Sequence, residues 1–247
     1  MHAMDESTIQ KLRGLDEVFY RENAVSFAQT RQHAWPGWDR VIAAMPTCPS
    51  SVLDVACGNA RFKAFIDKRF GLSSIRYYGV DSCAEMLPQS ESIEFQHLDI
   101  IECLMKGTLT ASLAAPACDL TACFGFMHHV PTFDLRAALL DALLDKTAPK
   151  GTLAISFWQF ADDPKLLQKA RMATEAGCAE LVLALDEGDY LLGWNENAGS
   201  YRYCHSFADA ELDELASRGS CRASLVDRFR ADGKSGAMNG YLVFRKS

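Results

Sequence analysis

The chain has 247 residues, of which 49% are hydrophobic and 23% charged, with a net charge of −7. That length and composition suit one large α/β domain with a sizeable core, and the acidic balance excludes a surface coated in basic residues for nonspecific nucleic-acid binding. No apolar run reaches the ~18 residues of a membrane span, and Met1-His-Ala-Met-Asp-Glu6 has neither the basic nor the apolar region of a secretory signal. The nine cysteines are scattered and include no CxxC pair, so the expectation is a cytoplasmic protein with reduced thiols, no membrane contact and no structural zinc. Charge is uneven, with a net of −5 over 151–200 and +2 over 201–247.

Residues 7–30 place Ile9, Leu12, Leu15, Val18, Phe19, Ala24, Phe27 and Ala28 at mostly helical spacing, which predicts one or two N-terminal helices. Trp35-Pro36-Gly37-Trp38 interrupts them, and a short helix resumes over 39–45. Strand and helix patterns then alternate. Strand 51–56 leads to helix 60–70, strand 76–80 to a short helix at 83–87, and strand 93–97 to a poorly patterned stretch. Strand 118–124 leads to helix 133–147, and strand 151–158 follows Pro149-Lys150-Gly151. Such alternation indicates a doubly wound, mostly parallel sheet. Residues 163–185 read as helix, 186–206 as irregular chain, and 208–218 as an amphipathic helix. Strands at 222–230 and 239–245 flank the turn-rich Asp232-Gly-Lys-Ser-Gly236 and close a C-terminal antiparallel hairpin, making seven strands.

The chemistry concentrates at strand ends. In Ser51-Val-Leu-Asp54-Val-Ala56-Cys-Gly58-Asn-Ala60-Arg-Phe62 an apolar strand ends in an acid, turns through a glycine and opens into a helix. Gly58 can take positive φ or admit a ligand closely, and the helix start offers free N–H groups. Asp54 falls where open α/β sheets bind ligands, and Asp81, at the end of the second strand, is placed for the two hydroxyls of a ribose. Asp99 follows the third strand and Asp119 opens the fourth, so four acids accompany four successive strands. Each acid has a plainer reading as a helix N-cap. His128 and His129 could cap or pack, and a metal is not expected because no carboxylate or cysteine stands near them at a telling spacing.

The first turn resembles motif I of the class I S-adenosylmethionine (SAM) methyltransferases, Asp-x-Gly-x-Gly-x-Gly, with Ala56 and Ala60 in place of the outer glycines. The resemblance implies SAM as cofactor and S-adenosylhomocysteine as product, held by Asp54, Ala56, Gly58, Asp81, Ser82, Asp99, Ile100 and Phe124, with Asp99 accepting from the adenine amino group. Two further segments are similar to the tRNA wobble-uridine carboxymethyl methyltransferases. One is Phe19-Tyr20 through Thr30-Arg31 to Trp35-Pro36-Gly-Trp38. The other is Gly188-Asp-Tyr-Leu-Leu-Gly193-Trp194 with Tyr201-Arg202-Tyr203-Cys204-His205-Ser-Phe207 and Glu211-Leu212. His128-His129 and Phe157-Trp158 match as well, while Gly193 and Cys204 depart from the family's proline and tyrosine.

That resemblance implies a single methyltransferase domain over 1–247, with an N-terminal helical cap at 1–48 and an insertion or lid at 159–207. It implies methyl transfer to the carboxylate of 5-carboxymethyluridine in a tRNA anticodon loop, with a small zinc-binding activator as an expected partner. Arg31 and Arg202 are the candidates to grip the carboxylate or a phosphate, and His128 and His205 to donate to the acceptor. Trp35, Trp38, Trp158 and Tyr203 are the candidate stacking platforms. The plainer alternatives are packing for the two N-terminal tryptophans and an ion pair for Arg31. A small-molecule O- or C-methyltransferase, or a non-catalytic SAM-binding scaffold, would share the same core.

Overall fold

The structure is a computed structural model that describes residues 4–30, 33–71, 75–86, 92–193 and 200–247. The N-terminal pattern forms one helix, α1 (Glu6–Gln29), capped where the Asp5 carboxylate accepts the Thr8 N–H. A short helix, α2 (Pro36–Ala43), starts on the proline that suits a first helical position. The alternating region gives β1 (Ser51–Val55), α3 (Arg61–Phe70), β2 (Arg76–Asp81), β3 (Glu94–His97), α4 (Ile100–Met105), α5 (Leu109–Ser112), β4 (Cys118–Cys123), α6 (Phe133–Asp145) and β5 (Thr147–Trp158). The chain continues through α7 (Pro164–Leu181), β6 (Asp189–Gly193), β7 (Tyr201–His205), α8 (Asp209–Ser220), β8 (Ala223–Ala231) and β9 (Asn239–Lys246).

Seven strands form one sheet in the order β3-β2-β1-β4-β5-β9-β8, parallel through the first five and antiparallel over the last two pairings. This is the doubly wound sheet with a C-terminal hairpin that the alternation predicts. The β1 and β4 strands, buried along nearly their whole length, are apolar except where they carry site residues. One face packs Leu53, Val55, Leu139, Leu143, Leu153 and Leu215 with α4, α6 and α8. The other packs Trp38, Val52, Phe62, Ile66, Tyr77 and Tyr241 with α2 and α3. The order reverses between β1 and β4, which opens a crevice at their carboxyl ends.

Three local expectations change. The poorly patterned stretch after β3 holds two short helices, the first capped by Asp99 accepting the Glu102 N–H. The 163–185 helix stops at Leu181, where Val182 turns left-handed at φ 51°. Residues 186–206, expected to be irregular, contain a second sheet in which β6 and β7 pair antiparallel with Leu191 opposite Tyr203. Helices α1 and α7 cover this hairpin, and Leu12, Leu191 and Tyr203 share a small separate core. Burial extends along almost all of β7, so the in–out alternation that marks a strand is absent from its sequence.

Candidate functional site

The carboxyl ends of β1, β2 and β4, joined by α1, enclose a cavity of about 740 Å³, within the ~300–1,000 Å³ usual for small-molecule sites. Asp54, Ala56, Gly58, Asp81, Ser82, Asp99, Ile100 and Phe124 all line it. In the β1–α3 turn, Ala56, Gly58 and Ala60 lie at φ 62°, 53° and 54°, so the two alanines adopt the left-handed backbone that glycine would supply. The turn therefore takes left-handed backbone at three alternate positions although only one of them is glycine.

The acids of the turn are buried and hydrogen-bonded. Asp54 accepts the Tyr77 hydroxyl at 2.6 Å. Burial pushes its carboxyl up to about 7, against that hydrogen bond and helped by the Asp81 charge. Asp81 accepts the Gly58 N–H on Oδ2 at 2.8 Å and the Cys83 N–H on Oδ1 at 2.9 Å. Burial again raises its carboxyl, and each oxygen keeps a second lone pair for a ribose hydroxyl. Asp99 caps α4 and also takes the Arg13 guanidinium at 2.6 Å, so an adenine amino group would share it. These residues fit SAM: two acids flank a tight turn, the N–H groups of a helix start lie beside it, and the space suffices. Asp119 is elsewhere. It sits at the amino end of β4 and accepts the Ser50 N–H and hydroxyl, which ties two strands together away from the cavity.

Of the acceptor candidates, Trp35, Trp38, His128, Trp158 and Arg202 line the cavity. Arg202 lies on β7 rather than in a loop. It is only 6% exposed, with its guanidinium 5.2 Å from the Phe19 ring centre and 5.7 Å from that of Trp158. Burial works against its charge, and nearby Cys204, Tyr20 and Asp16 outweigh that, so its pKa rises. His128 meets Trp158 edge-on at 5.0 Å between ring centres.

The structure redirects three candidates. His205 is outside the cavity, held between Asp189 and Glu211 at 2.7 Å each, and joins β7 to β6 and α8. Tyr203 is fully buried, with its hydroxyl donating to Asp189, so it has no face for a base. Trp38 reaches the wall but is 1% exposed and packs against Phe62, Phe65 and Phe124, which makes it a packing anchor. Trp35 is half-buried with the Arg61 guanidinium 4.6 Å from its ring centre. Arg31 and Trp194 lie outside the described residues.

Arg13 and Asp16, which no sequence motif singles out, join Tyr20 of the N-terminal signature in a polar stripe of α1 on the cavity wall. Their spacing of three and four residues on an otherwise amphipathic helix is the signal that could have found them. The His128, His129 and Cys204 side chains also bring three potential ligand atoms within 4.8 Å of one another. Both His129 nitrogens are already engaged, Nδ1 by Asp16 and the Tyr203 carbonyl and Nε2 by Tyr20. All nine cysteines are free thiols, and no helix among the described residues is long and apolar enough to cross a membrane.

Comparison with known proteins agrees with this geometry. Residues 52–151 match a family model described as a methyltransferase domain. The chain is 25% identical over 147 residues to the Mus musculus tRNA (carboxymethyluridine(34)-5-O)-methyltransferase ALKBH8, covering 59% of this chain and 20% of that protein. The chain thus spans about a fifth of that relative's length. A candidate methyltransferase of Encephalitozoon cuniculi is 25% identical over 197 residues, covering 80% of this chain and 82% of its own. Among solved structures, a SAM-dependent methyltransferase of Methanosarcina mazei superposes with a TM-score of 0.60 at 16% identity, covering 86% of this chain and 98% of that one. The 1,6-didemethyltoxoflavin-N1-methyltransferase of Burkholderia thailandensis, with S-adenosylhomocysteine bound, does so with a TM-score of 0.53 at 18% identity over 93% of this chain and 88% of its own.

Proposed function

We propose that this chain, whose residues 52–151 match a methyltransferase domain, is a SAM-dependent enzyme that methylates a carboxylate, and that the acceptor is 5-carboxymethyluridine at a tRNA wobble position. The observation that carries the reading is Arg202, a guanidinium withdrawn from water on the wall of the cofactor cavity. A buried guanidinium favours an anionic ligand and matches a carboxylate's two oxygens with two parallel donors. The likeness to ALKBH8, whose name specifies carboxymethyluridine 34, supports the nucleoside.

When bound, SAM supplies an electrophilic methyl group on a sulfonium. A carboxylate is ionised at pH 7 and would need no base from the protein to accept that methyl group. What the chain provides is placement. Asp81 and the Ala56–Ala60 turn are positioned to fix the cofactor, and Arg202 to hold the acceptor in line. Trp158, half-buried beside His128, offers a ring to a splayed base.

Purified protein, labelled SAM and tRNA carrying carboxymethyluridine test the reading, with and without a small zinc-binding activator. A base-labile methyl ester at the wobble nucleotide is expected, and tRNA bearing the corresponding amide should stay unlabelled. No ester in either arm would remove tRNA as the acceptor. The net charge of −7 favours a small carboxylic acid as the second reading, because few phosphate contacts are then required.

A further inference from the structure

Arg13 reaches from α1 to two acids that lie 86 and 89 positions along the chain. Its Nε donates to Oδ2 of Asp99 at 2.6 Å, and one terminal nitrogen donates to Oε2 of Glu102 at 2.8 Å. The other terminal nitrogen lies 3.1 Å from Oε1 of Gln10 on its own helix. These bonds have one sense only, because a guanidinium carries donors and an ionised carboxylate carries acceptors. Arg13, Asp99, Ile100 and Ile101 line the cofactor cavity together. The Arg13 and Asp99 side chains are 23% and 25% exposed, so the pair stands at the cavity wall with water still on it.

The Asp99 carboxylate is held at both oxygens. Oδ1 accepts the Glu102 N–H at 2.8 Å, a local bond that ties it to its own helix. Arg13 fixes Oδ2 from a separate element, and the two anchors together set the plane of the carboxylate. Each oxygen keeps a second lone pair, so Asp99 can accept an amino group without releasing either partner. Helix α1 does not depend on this pair for its place. Leu12 seats it in the small core, and the Asp16 carboxylate takes the Tyr203 N–H at 2.7 Å. While water surrounds it, an ion pair of this kind adds little to the fold. A base laid against Asp99 strips that water away, and a carboxylate desolvated without a cation is far costlier than one that keeps its partner.

We propose that Arg13 is a positioning residue for the adenine of SAM, orienting the Asp99 carboxylate and keeping it paired when the base covers it. This rests on SAM as the cofactor and on Asp99 as the partner of its adenine amino group, and it is independent of the methyl acceptor. It makes α1 a part of the cofactor site rather than a passive cap.

Calorimetric titration of the full chain with two ligands tests this. One is S-adenosylhomocysteine, and the other is its analogue with unsubstituted purine in place of adenine, which has no amino group to offer Asp99. Arg13→Gln should weaken S-adenosylhomocysteine about tenfold and the purine analogue less than about twofold. Asp99→Asn, which keeps a capping residue for α4, should show the same split. Adding Arg13→Gln to Asp99→Asn should then cost nothing further, because Arg13 acts through the carboxylate already removed. Equal loss of both ligands in Arg13→Gln would make the pair a structural tie and overturn the proposal. So would unchanged S-adenosylhomocysteine binding in Arg13→Gln, or full additivity with Asp99→Asn. If Asp99→Asn binds both ligands as the wild type does, the adenine assignment of Asp99 falls and takes the proposal with it. If Asp99→Asn shows the split and Arg13→Gln does not, Asp99 keeps its role and Arg13 loses its own. Should Arg13→Gln not fold, wild-type protein labelled with 15N at arginine decides it. The Arg13 Nε–H signal should move with saturating S-adenosylhomocysteine and much less with the purine analogue, and equal shifts or none overturn the proposal.

Discussion

The Tyr77 hydroxyl donates a 2.6 Å hydrogen bond to Oδ2 of Asp54 across neighbouring strands, with both groups buried under the cofactor cavity. Burial raises the Asp54 carboxyl to about 7, and the Tyr77 bond restrains it from rising further. In the SAM-free protein, folding should weaken as pH rises from the ordinary 3.8 towards about 7, since the unfolded carboxyl ionises first. The ammonium of SAM's methionine end favours the ionised carboxylate, so SAM affinity should rise between pH 6 and 8, with proton release on binding. Calorimetry in two buffers of different ionisation enthalpy measures that release. Tyr77→Phe should cost ~1–2 kcal/mol of stability and move the affinity rise to higher pH. Flat affinity across that range would mean that Asp54 does not sense the cofactor.

Ala56 and Ala60 hold left-handed backbone, at φ 62° and 54°, where a Cβ is disfavoured. Ala56→Gly and Ala60→Gly should each stabilise the protein by ~0.5–1 kcal/mol, the relieved strain exceeding the added entropy of an unfolded glycine. In a chain of this size that raises Tm by about 1–4 °C, read from thermal melts, with SAM affinity unchanged or improved. A fall in Tm for either variant would mean that the alanine methyl packs more than its backbone strains.

How much of this site the sequence displays depends on the reach of each interaction. Asp54 and Asp81 are legible because strand, acid and turn are contiguous. Asp119 lies one residue into β4, at the amino end of that strand, where an acid binds a neighbouring turn instead of a ligand. Arg202 stands out by resemblance, yet its strand is hidden because β7, with α1 against it, is buried along almost its whole length. The Asp16 bond to Tyr203 joins residues 187 apart, which no local pattern carries. His205 and His129 look equivalent in sequence, and only the fold sends one to a carboxylate pair and the other to the cavity wall.

His205 should therefore be a stability residue. Its Nδ1 and Nε2 lie 2.7 Å from Asp189 and Glu211, and Arg136 completes the cluster through Glu211. Burial opposes its charge, but the hydrogen bonds to Asp189 and Glu211 outweigh that and raise its pKa. Burial likewise opposes ionisation of Glu211, but His205 and Arg136 hold its pKa low. The raised histidine stabilises the fold fully below its ordinary 6.5, and that contribution is lost as pH climbs through the raised value. His205→Gln should cost ~3 kcal/mol by removing the cation between two buried carboxylates, which keep the Tyr203 hydroxyl and the Arg136 guanidinium as partners. It should also flatten the expected alkaline loss of stability, to be read from urea titrations at pH 6 and 9. The folded variant should bind SAM normally, so reduced SAM affinity at full folding would return His205 to the site.

The Arg61–Trp35 stack assigns Trp35 differently from a base platform. Arg61 opens α3 directly after the left-handed turn, with its guanidinium 4.6 Å from the Trp35 ring centre and 5.5 Å from that of Trp38. Burial lowers its pKa, against the raising charges of Tyr241, Asp54 and Asp232. A hydrogen bond of 3.4 Å joins it to the His33 carbonyl. A cation on the cofactor turn, braced by an indole, is placed for the carboxylate of SAM's methionine end. Arg61→Gln should weaken SAM binding about tenfold, and Trp35→Ala should weaken it by a smaller factor because the guanidinium loses its support. Neither should change acceptor KM at saturating SAM. Trp35→Ala raising acceptor KM with SAM affinity intact would instead make the ring a stacking surface for the acceptor.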